Sequence, residues 1–198
     1  MSLNCRSLRK KTQHLKVILE DNNINVAVLQ ETWLNKGDLS IYEEFSELGF
    51  KVFKLERINK GGGGLAIFVY QGILSKRKLP IKKNNNYSEF EYVTCSIRMG
   101  GNEYIVVNLY RPPSGSKVTF LAQFDDFLAQ ILDTTSQIIL FGDFNFDLLS
   151  KESTSLEFLE TLDKYDLSQI IDQPTRSAAL LDLVIIPSSE KKQDKYSK

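Results

Sequence analysis

Ile138-Ile139-Leu140-Phe141-Gly142-Asp143-Phe144-Asn145 is the stretch on which the fold turns. A short continuous apolar run reads as a strand buried on both faces, the kind found inside an α/β sheet. Ligand-binding and catalytic groups in such sheets sit just beyond the carboxyl ends of the strands. Asp143 and Asn145 fall there, two positions apart, and offer a compact set of oxygen and nitrogen groups to a hard metal or an attacking water. A second case lies upstream, where Val26-Ala27-Val28-Leu29 runs into Gln30-Glu31-Thr32-Trp33. Two buried strands that each hand a carboxylate to a loop are a common framework for metal-assisted hydrolysis.

Working outward, Leu8, Leu15, Ile18 and Leu19 fall on one face of a helix expected over Ser7 to Glu20, and Asp21-Asn22-Asn23 ends it. Phe50 to Leu55 alternates like a half-buried strand, and Leu65 to Tyr70 reads as another after the turn Gly61 to Gly64. Glu89 to Arg98 and Glu103 to Leu109 flank Gly100-Gly101, a hairpin signal. Tyr110-Arg111-Pro112-Pro113 breaks the pattern. Phe120, Phe124, Phe127, Leu128 and Ile131 recur at helical spacing, as do Leu156, Phe158, Leu159 and Leu162. Ser168 to Ile171 reads as a short strand and Leu180 to Ile186 as the last one. Hairpins mixed with helical crossovers imply mixed sheets with helices packed outside, a layered α/β sandwich.

The 198 residues suffice for one domain with a substantial core. The formal net charge of zero supplies no global field for nucleic acid, although a local patch can still hold a phosphate backbone. The basic clusters Arg6, Arg9, Lys10 and Lys11, then Lys76, Arg77 and Lys78, then Lys82 and Lys83, read as solvated faces and loops. Cys5 and Cys95 form no CxxC, which argues against a zinc site or a disulfide framework and fits a reducing compartment. No apolar signal core follows Met1 and no stretch approaches a membrane span, so an intracellular protein with no membrane partner is expected.

Each motif has an ordinary reading when taken alone. Gly61 to Gly64 leads into a strand and lacks a closing Lys-Ser/Thr, so it is a hairpin turn rather than a phosphate-binding loop. Asp143 and Asn145 read equally well as an Asx turn. Glu31 alone suits a solvated strand end, and Tyr110 alone suits a core aromatic. His14, the one histidine, lies beside an apolar stripe on a basic helix and reads as a surface residue.

Order and combination change this. Leu3-Asn4-Cys5-Arg6-Ser7-Leu8, Gln30-Glu31-Thr32-Trp33-Leu34, Gly61 to Leu65, Tyr110-Arg111-Pro112-Pro113, Gly142-Asp143-Phe144-Asn145 and Pro174-Thr175-Arg176 through Leu181-Asp182-Leu183-Val184 succeed one another over nearly the whole chain. As an ordered set they resemble the endonuclease/exonuclease/phosphatase superfamily, and within it the apurinic-type endonuclease domains of non-LTR retrotransposons.

The resemblance implies a DNase I-like sandwich of two mixed β-sheets packed face to face with helices outside. It implies Mg²⁺, with Mn²⁺ as an alternative, held by Glu31. Asn4 then sets the orientation of the catalytic aspartate. Asp143 activates or positions the attacking water, Asn145 contacts the scissile phosphate, and the Tyr110 hydroxyl donates to a phosphate oxygen. Asp182 matches the aspartate that orients a histidine. Arg6, Arg111, Thr175 and Arg176 are the expected nucleic-acid contacts. DNA is the implied partner, beside a reverse transcriptase domain in the parent element. A monomer working in the nucleus is expected.

Two departures stand out. Family members continue past the last strand to Ser-Asp-His, whereas here Ile186-Pro187-Ser188-Ser189 runs into Glu190-Lys191-Lys192 and no such motif occurs. Only Met1-Ser2-Leu3 stands where an apolar strand normally leads into the asparagine. The expectation is therefore a domain over 1–187 that is incomplete at both ends, with neighbouring strands left unpaired near Met1, and a polar, frayed tail over 188–198. Three readings stay open: a nuclease that nicks DNA to prime reverse transcription, a catalytically dead remnant that binds nucleic acid or protein, and, ranked last, a superfamily member with another substrate such as an inositol phosphate.

Overall fold

The structure is a computed structural model that describes residues 1–56, 62–77, 87–135, 137–150 and 152–191. Gly61, Lys78, Lys82, Lys83 and residues 192–198 lie outside these.

Among the described residues, ten strands form two sheets. The first contains β1 (Ser2–Asn4), β2 (Val26–Gln30), β3 (Phe50–Leu55) and β4 (Leu65–Tyr70), in the order β1-β2-β4-β3. The second contains β5 (Ser75–Arg77), β6 (Glu91–Met99), β7 (Asn102–Tyr110), β8 (Ile138–Asp143), β9 (Leu167–Gln169) and β10 (Asp182–Pro187), in the order β5-β6-β7-β8-β10-β9. Both are mixed: β1 runs parallel to β2 and β7 parallel to β8, and the remaining pairs are antiparallel. The helices are α1 (Thr12–Asp21), α2 (Leu39–Glu47), α3 (Lys117–Leu132), α4 (Ser153–Lys164) and α5 (Ser188–Lys191).

Side-chain alternation along the strands assembles four layers. On β4, Leu65, Ile67 and Val69 meet Val93, Cys95, Ile97 and Val106 of the second sheet. The intervening Ala66 and Phe68 pack instead with Leu15 and Leu19 of α1 and Phe45 of α2. On β7, Ile105, Val107 and Leu109 face Phe120, Phe124 and Phe127 of α3 and Phe158 of α4. Strands buried on both faces must be apolar at every position, which is why β4 and β8 lack a hydrophilic stripe. The expected sandwich, with its two sheets face to face and helices outside, is the observed fold.

Several local expectations need correction. The first helix starts at Thr12, not Ser7, because Ser7 N–H and Leu8 N–H donate to Glu31 O and Thr32 O at 2.8 and 2.9 Å. These donors tie the segment to the β2 loop before a helical turn can form. Ser168 to Ile171 shortens to the edge strand β9. The helix α2 went unread. Its start is marked by a capping box between Asn35 and Asp38 on the preceding turn of 3₁₀ helix. The strand expected to be left unpaired beside Met1 is paired, since Ser2, Leu3 and Asn4 pair with Val28, Leu29 and Gln30 and leave β2 flanked on both sides. Ser188–Lys191 makes a helical turn anchored by Ser188 N–H on Asp166 O. Among the described residues no helix is long and apolar enough to cross a membrane.

Candidate active site

The carboxyl ends of β1, β2, β7 and β8 lie together, and the loops after them carry the candidate residues. In the second sheet, Tyr110 pairs with Asp143 across β7 and β8, and Asp143 pairs with Asp182 across β8 and β10. Cross-strand partners point to the same face, so the register alone brings these three together.

The sequence Gly142-Asp143-Phe144-Asn145-Phe146 works by alternation. Phe144 and Phe146 are fully buried among Phe120, Phe124 and Phe158, with Phe144 and Phe158 edge to face at 5.5 Å. The two rings pin the loop to α3 and α4 and turn Asp143 and Asn145 the other way. Gly142 permits the close approach to β7, because a Cβ there would lie 2.4 Å from Leu109 O. Asp143 Oδ1 accepts from Asn145 N–H at 3.1 Å, and the Asn145 amide donates to Arg111 O at 2.8 Å.

The β2 loop is built from polar anchors. Gln30 is fully buried and donates to Asn108 Oδ1 at 2.6 Å, and Asn108 Nδ2 donates to Leu29 O and Ala66 O. This bridge joins the two sheets directly beneath Glu31. Cys5 Sγ donates to Gln30 O and Glu31 O. Burial pushes its thiol up to about 12, so it stays protonated and serves as a strut rather than a nucleophile. Thr32 is buried, while Glu31 and Trp33 adopt the left-handed region with φ of 53° and 54°. Arg6, Ser7 and Asn145 do the same close by. A non-glycine residue held there stores on the order of 1–3 kcal/mol, and such strain concentrates at functional sites.

One amide joins the two loops. Asn4 Nδ2 donates to Glu31 Oε1 at 2.6 Å and to Asp143 Oδ2 at 2.7 Å, spending both its hydrogens on carboxylates from different sheets. The other Glu31 oxygen accepts from Trp33 Nε1 at 3.2 Å. Arg176 closes the far side, with Nη2 on Asp143 Oδ2 at 2.8 Å, Nη1 on Asn145 Oδ1 at 3.3 Å and Asp182 Oδ1 at 3.9 Å. Burial, then the neighbouring Asp143 carboxylate, hold the Asp182 carboxyl above its ordinary value. Burial alone would lower Arg176, but the bond to Asp143 and the charges of Asp143, Asp182 and Glu31 outweigh it and keep the guanidinium charged.

Asn4, Glu31, Asp143, Asn145, Arg176 and Asp182 thus converge. Tyr110 lies beside Asp143 with its ring in the core between the sheets. Thr175 uses its hydroxyl to accept from Leu181 N–H and Asp182 N–H, which shapes the loop that carries Arg176. Arg6 is exposed at the rim, its N–H on Asn4 Oδ1. Arg111 departs from expectation: it is 1% exposed, donates to Asn145 O and Gly115 O, and lies over the rings of Phe120 and Phe146. Committed to carbonyls and aromatic faces, it supports the Asn145 loop instead of meeting a phosphate. The sequence reading passed over Asn108, although a polar residue within a buried run is a sign of an internal bridge. It also passed over Trp33 as a partner of Glu31. His14 is exposed on α1.

The donors fit a hard divalent ion. Among the described residues no three His, Cys, Asp or Glu side chains form a cage. Mg²⁺ keeps several waters and takes one or two carboxylates plus substrate phosphates, and the half-buried Glu31 carboxylate would answer that description. Mn²⁺ accepts the same oxygen ligands.

Residues 1–179 match the Endonuclease/Exonuclease/phosphatase family, and the chain belongs to it. Solved structures agree in fold. The endonuclease domain of TRAS1, a telomere-specific non-LTR retrotransposon, superposes with a TM-score of 0.70 at 18% identity, covering 95% of this chain and 83% of that one. A 3′ phosphatase, NExo, from Neisseria bound to product DNA hairpin gives 0.67 at 15%, covering 95% and 86%. A mannosyl-6-phosphatase from Bacteroides thetaiotaomicron gives 0.67 at 13%, covering 95% and 84%. No curated protein sequence matches. At these identities the likeness establishes the fold, which hosts several substrates.

Proposed function

We propose that this chain is a Mg²⁺-dependent phosphodiester hydrolase that nicks DNA, with Mn²⁺ able to replace Mg²⁺, and that in a parent retroelement the nick primes the reverse transcriptase domain. The observation that carries this reading is the Asn4 amide, which holds Glu31 and Asp143 to a single point. Glu31 would hold the ion, whose charge offsets the anionic ester when bound. Asp143 takes the proton of the attacking water. Its orientation is set by Asn4, by Asn145 N–H and by the register with Asp182. Asn145 and Tyr110 offer neutral donors to phosphoryl oxygens, a role suited to stabilising charge without competing for the metal. Arg6 extends the rim toward the flanking backbone. A monomer acting in the nucleus fits this assignment, and DNA fits better than a sugar phosphate because the motif series resembles retroelement nucleases.

The test is plasmid relaxation. Purified protein incubated with supercoiled DNA and Mg²⁺ yields open circles; EDTA or Asp143→Ala abolishes them. Equal traces from wild type and variant refute the activity. One observation favours the second reading, a nucleic-acid-binding module without turnover: Asp143 has no exposed surface in this structure. That outcome appears as DNA binding without relaxation.

A further inference from the structure

The burial of Asp143 poses a problem that the arrangement of its partners answers. A carboxylate that takes a proton from water must meet water, yet Asp143 is fully buried. Three groups cover it. Asn4 is fixed by the β1–β2 pairing and Asn145 N–H by the backbone of its own loop. The third is the Arg176 guanidinium, whose side chain is 32% exposed. The backbone beneath it is firmly held. Arg176 N–H donates to Ala179 O, Ala179 N–H donates back to Arg176 O, and Thr175 Oγ1 caps Leu181 and Asp182. A long side chain on a fixed stem can swing without disturbing the strand below.

The acceptors of Arg176 matter as much as its position. Its two nitrogens bind Asp143 Oδ2 and Asn145 Oδ1, two oxygens spaced for a planar fork. That fork matches two oxygens of a phosphate equally well, and a charge-assisted pair of this kind is readily exchanged for another. Among the described residues Arg176 is the cation within ion-pair reach of Asp143 and Asp182.

We propose that Arg176 is a latch on Asp143 that the substrate's phosphate opens: the guanidinium pairs the carboxylate at rest, passes to the phosphoryl oxygens when the ester arrives, and thereby uncovers Asp143 for water. The proposal rests on the phosphodiester reading above and adds to it a coupling, in which the group that recognises the phosphate is the one that inhibits the base.

A binding cycle tests this without turnover. A fluorescent DNA duplex is titrated in EDTA with wild type, Asp143→Asn, Arg176→Ala and the double variant, read by anisotropy. Asp143→Asn frees the guanidinium and should tighten binding about tenfold in the presence of Arg176, but no more than about twofold with alanine there. Equal gains in both backgrounds, or no binding by any variant, overturn the latch. Arg176→Gln, which keeps a donor and an acceptor, replaces the alanine if that variant fails to fold. In the relaxation assay Arg176→Ala should lose about 10²-fold in rate, with added guanidinium ion restoring at least tenfold; an unchanged rate overturns the latch and leaves the nuclease intact. An intact binding cycle with no relaxation by wild type refutes the nuclease and keeps the latch.

Discussion

The two loops that meet at Asn4 are held in opposite ways. The Gly142–Phe146 loop is anchored by rings: Phe144 and Phe146 sink into the α3–α4 core and leave Asp143 buried and Asn145 half-buried. The Gln30–Trp33 loop is anchored by hydrogen bonds, through Gln30, Asn108 and Cys5, and it leaves Glu31 half-buried and Trp33 39% exposed. The rings fix the backbone and leave the carboxylate's lone pairs to Asn4, Asn145 N–H and Arg176, whose bonds offset the cost of burying the charge. Glu31 itself is only half-buried above the fully buried Gln30 and Asn108, which leaves water on one side of its carboxylate, as metal binding would require. The difference suits one loop to proton transfer and the other to an ion that exchanges with solvent.

The largest effect that sharpens this contrast concerns metal. Glu31→Gln should cut relaxation by about 10²-fold or more and shift its Mg²⁺ half-saturation upward, so that high Mg²⁺ recovers part of the rate. Asp143→Asn should lose as much with no recovery. Trp33 gives a readout besides activity, because it is the one tryptophan in the chain and its indole donates to Glu31. Mg²⁺ should change its emission in wild type and leave it unchanged in Glu31→Gln. Identical metal responses of the two variants would break the division of labour.

Anchorage comes next. Phe144→Ala should lower stability by about 3–5 kcal/mol, as for a large ring removed from a packed core. Asn108→Ala should cost about 1–3 kcal/mol, the desolvation penalty of the buried groups it leaves unpaired. Urea denaturation compares them, and a larger loss for Asn108→Ala would reverse the assignment of ring and hydrogen-bond anchors.

The ring-anchored loop was largely legible in the sequence. An apolar run ending in Gly-Asp-Phe-Asn declares a buried strand, and apolar and polar residues alternate beyond it. The hairpin was legible for the same local reason: Gly100 and Gly101, with φ of 56° and 86°, take the left-handed turn that their sequence suits. The polar-anchored loop was legible only at Glu31. Its partner Asn108 lies 78 residues from Gln30, so a polar residue in a buried run signals that a bridge exists but nothing local names the residue it meets. Arg111, a nucleic-acid contact by resemblance, could not be seen as buried from its motif, because Phe120 and Phe146, distant in sequence, close over it. Arg176 could be placed at the site by motif, but its grip on Asp143 depends on a turn whose geometry the sequence does not state. The helix α2 is legible in Leu39, Tyr42, Phe45 and Leu48, apolar residues spaced three apart.

The smallest effect concerns protonation. Asp182 keeps its proton in the folded protein above the ordinary value of 3.8, so between that value and its raised one the native state binds more protons than the unfolded state. Stability must then fall as pH rises through this window. Asp182→Asn removes the titration, and its urea midpoint relative to wild type should improve from pH 4 to pH 7. A gap that does not widen with pH would place Asp182 in a less buried setting than the one seen.

The measurement closest to the central claim is the Mg²⁺ dependence of relaxation by Asn4→Ala. One amide serves both carboxylates, so its loss should lower the saturating rate and raise the Mg²⁺ needed for half-saturation together. A variant that changes one quantity and spares the other, or spares both, would contradict the account.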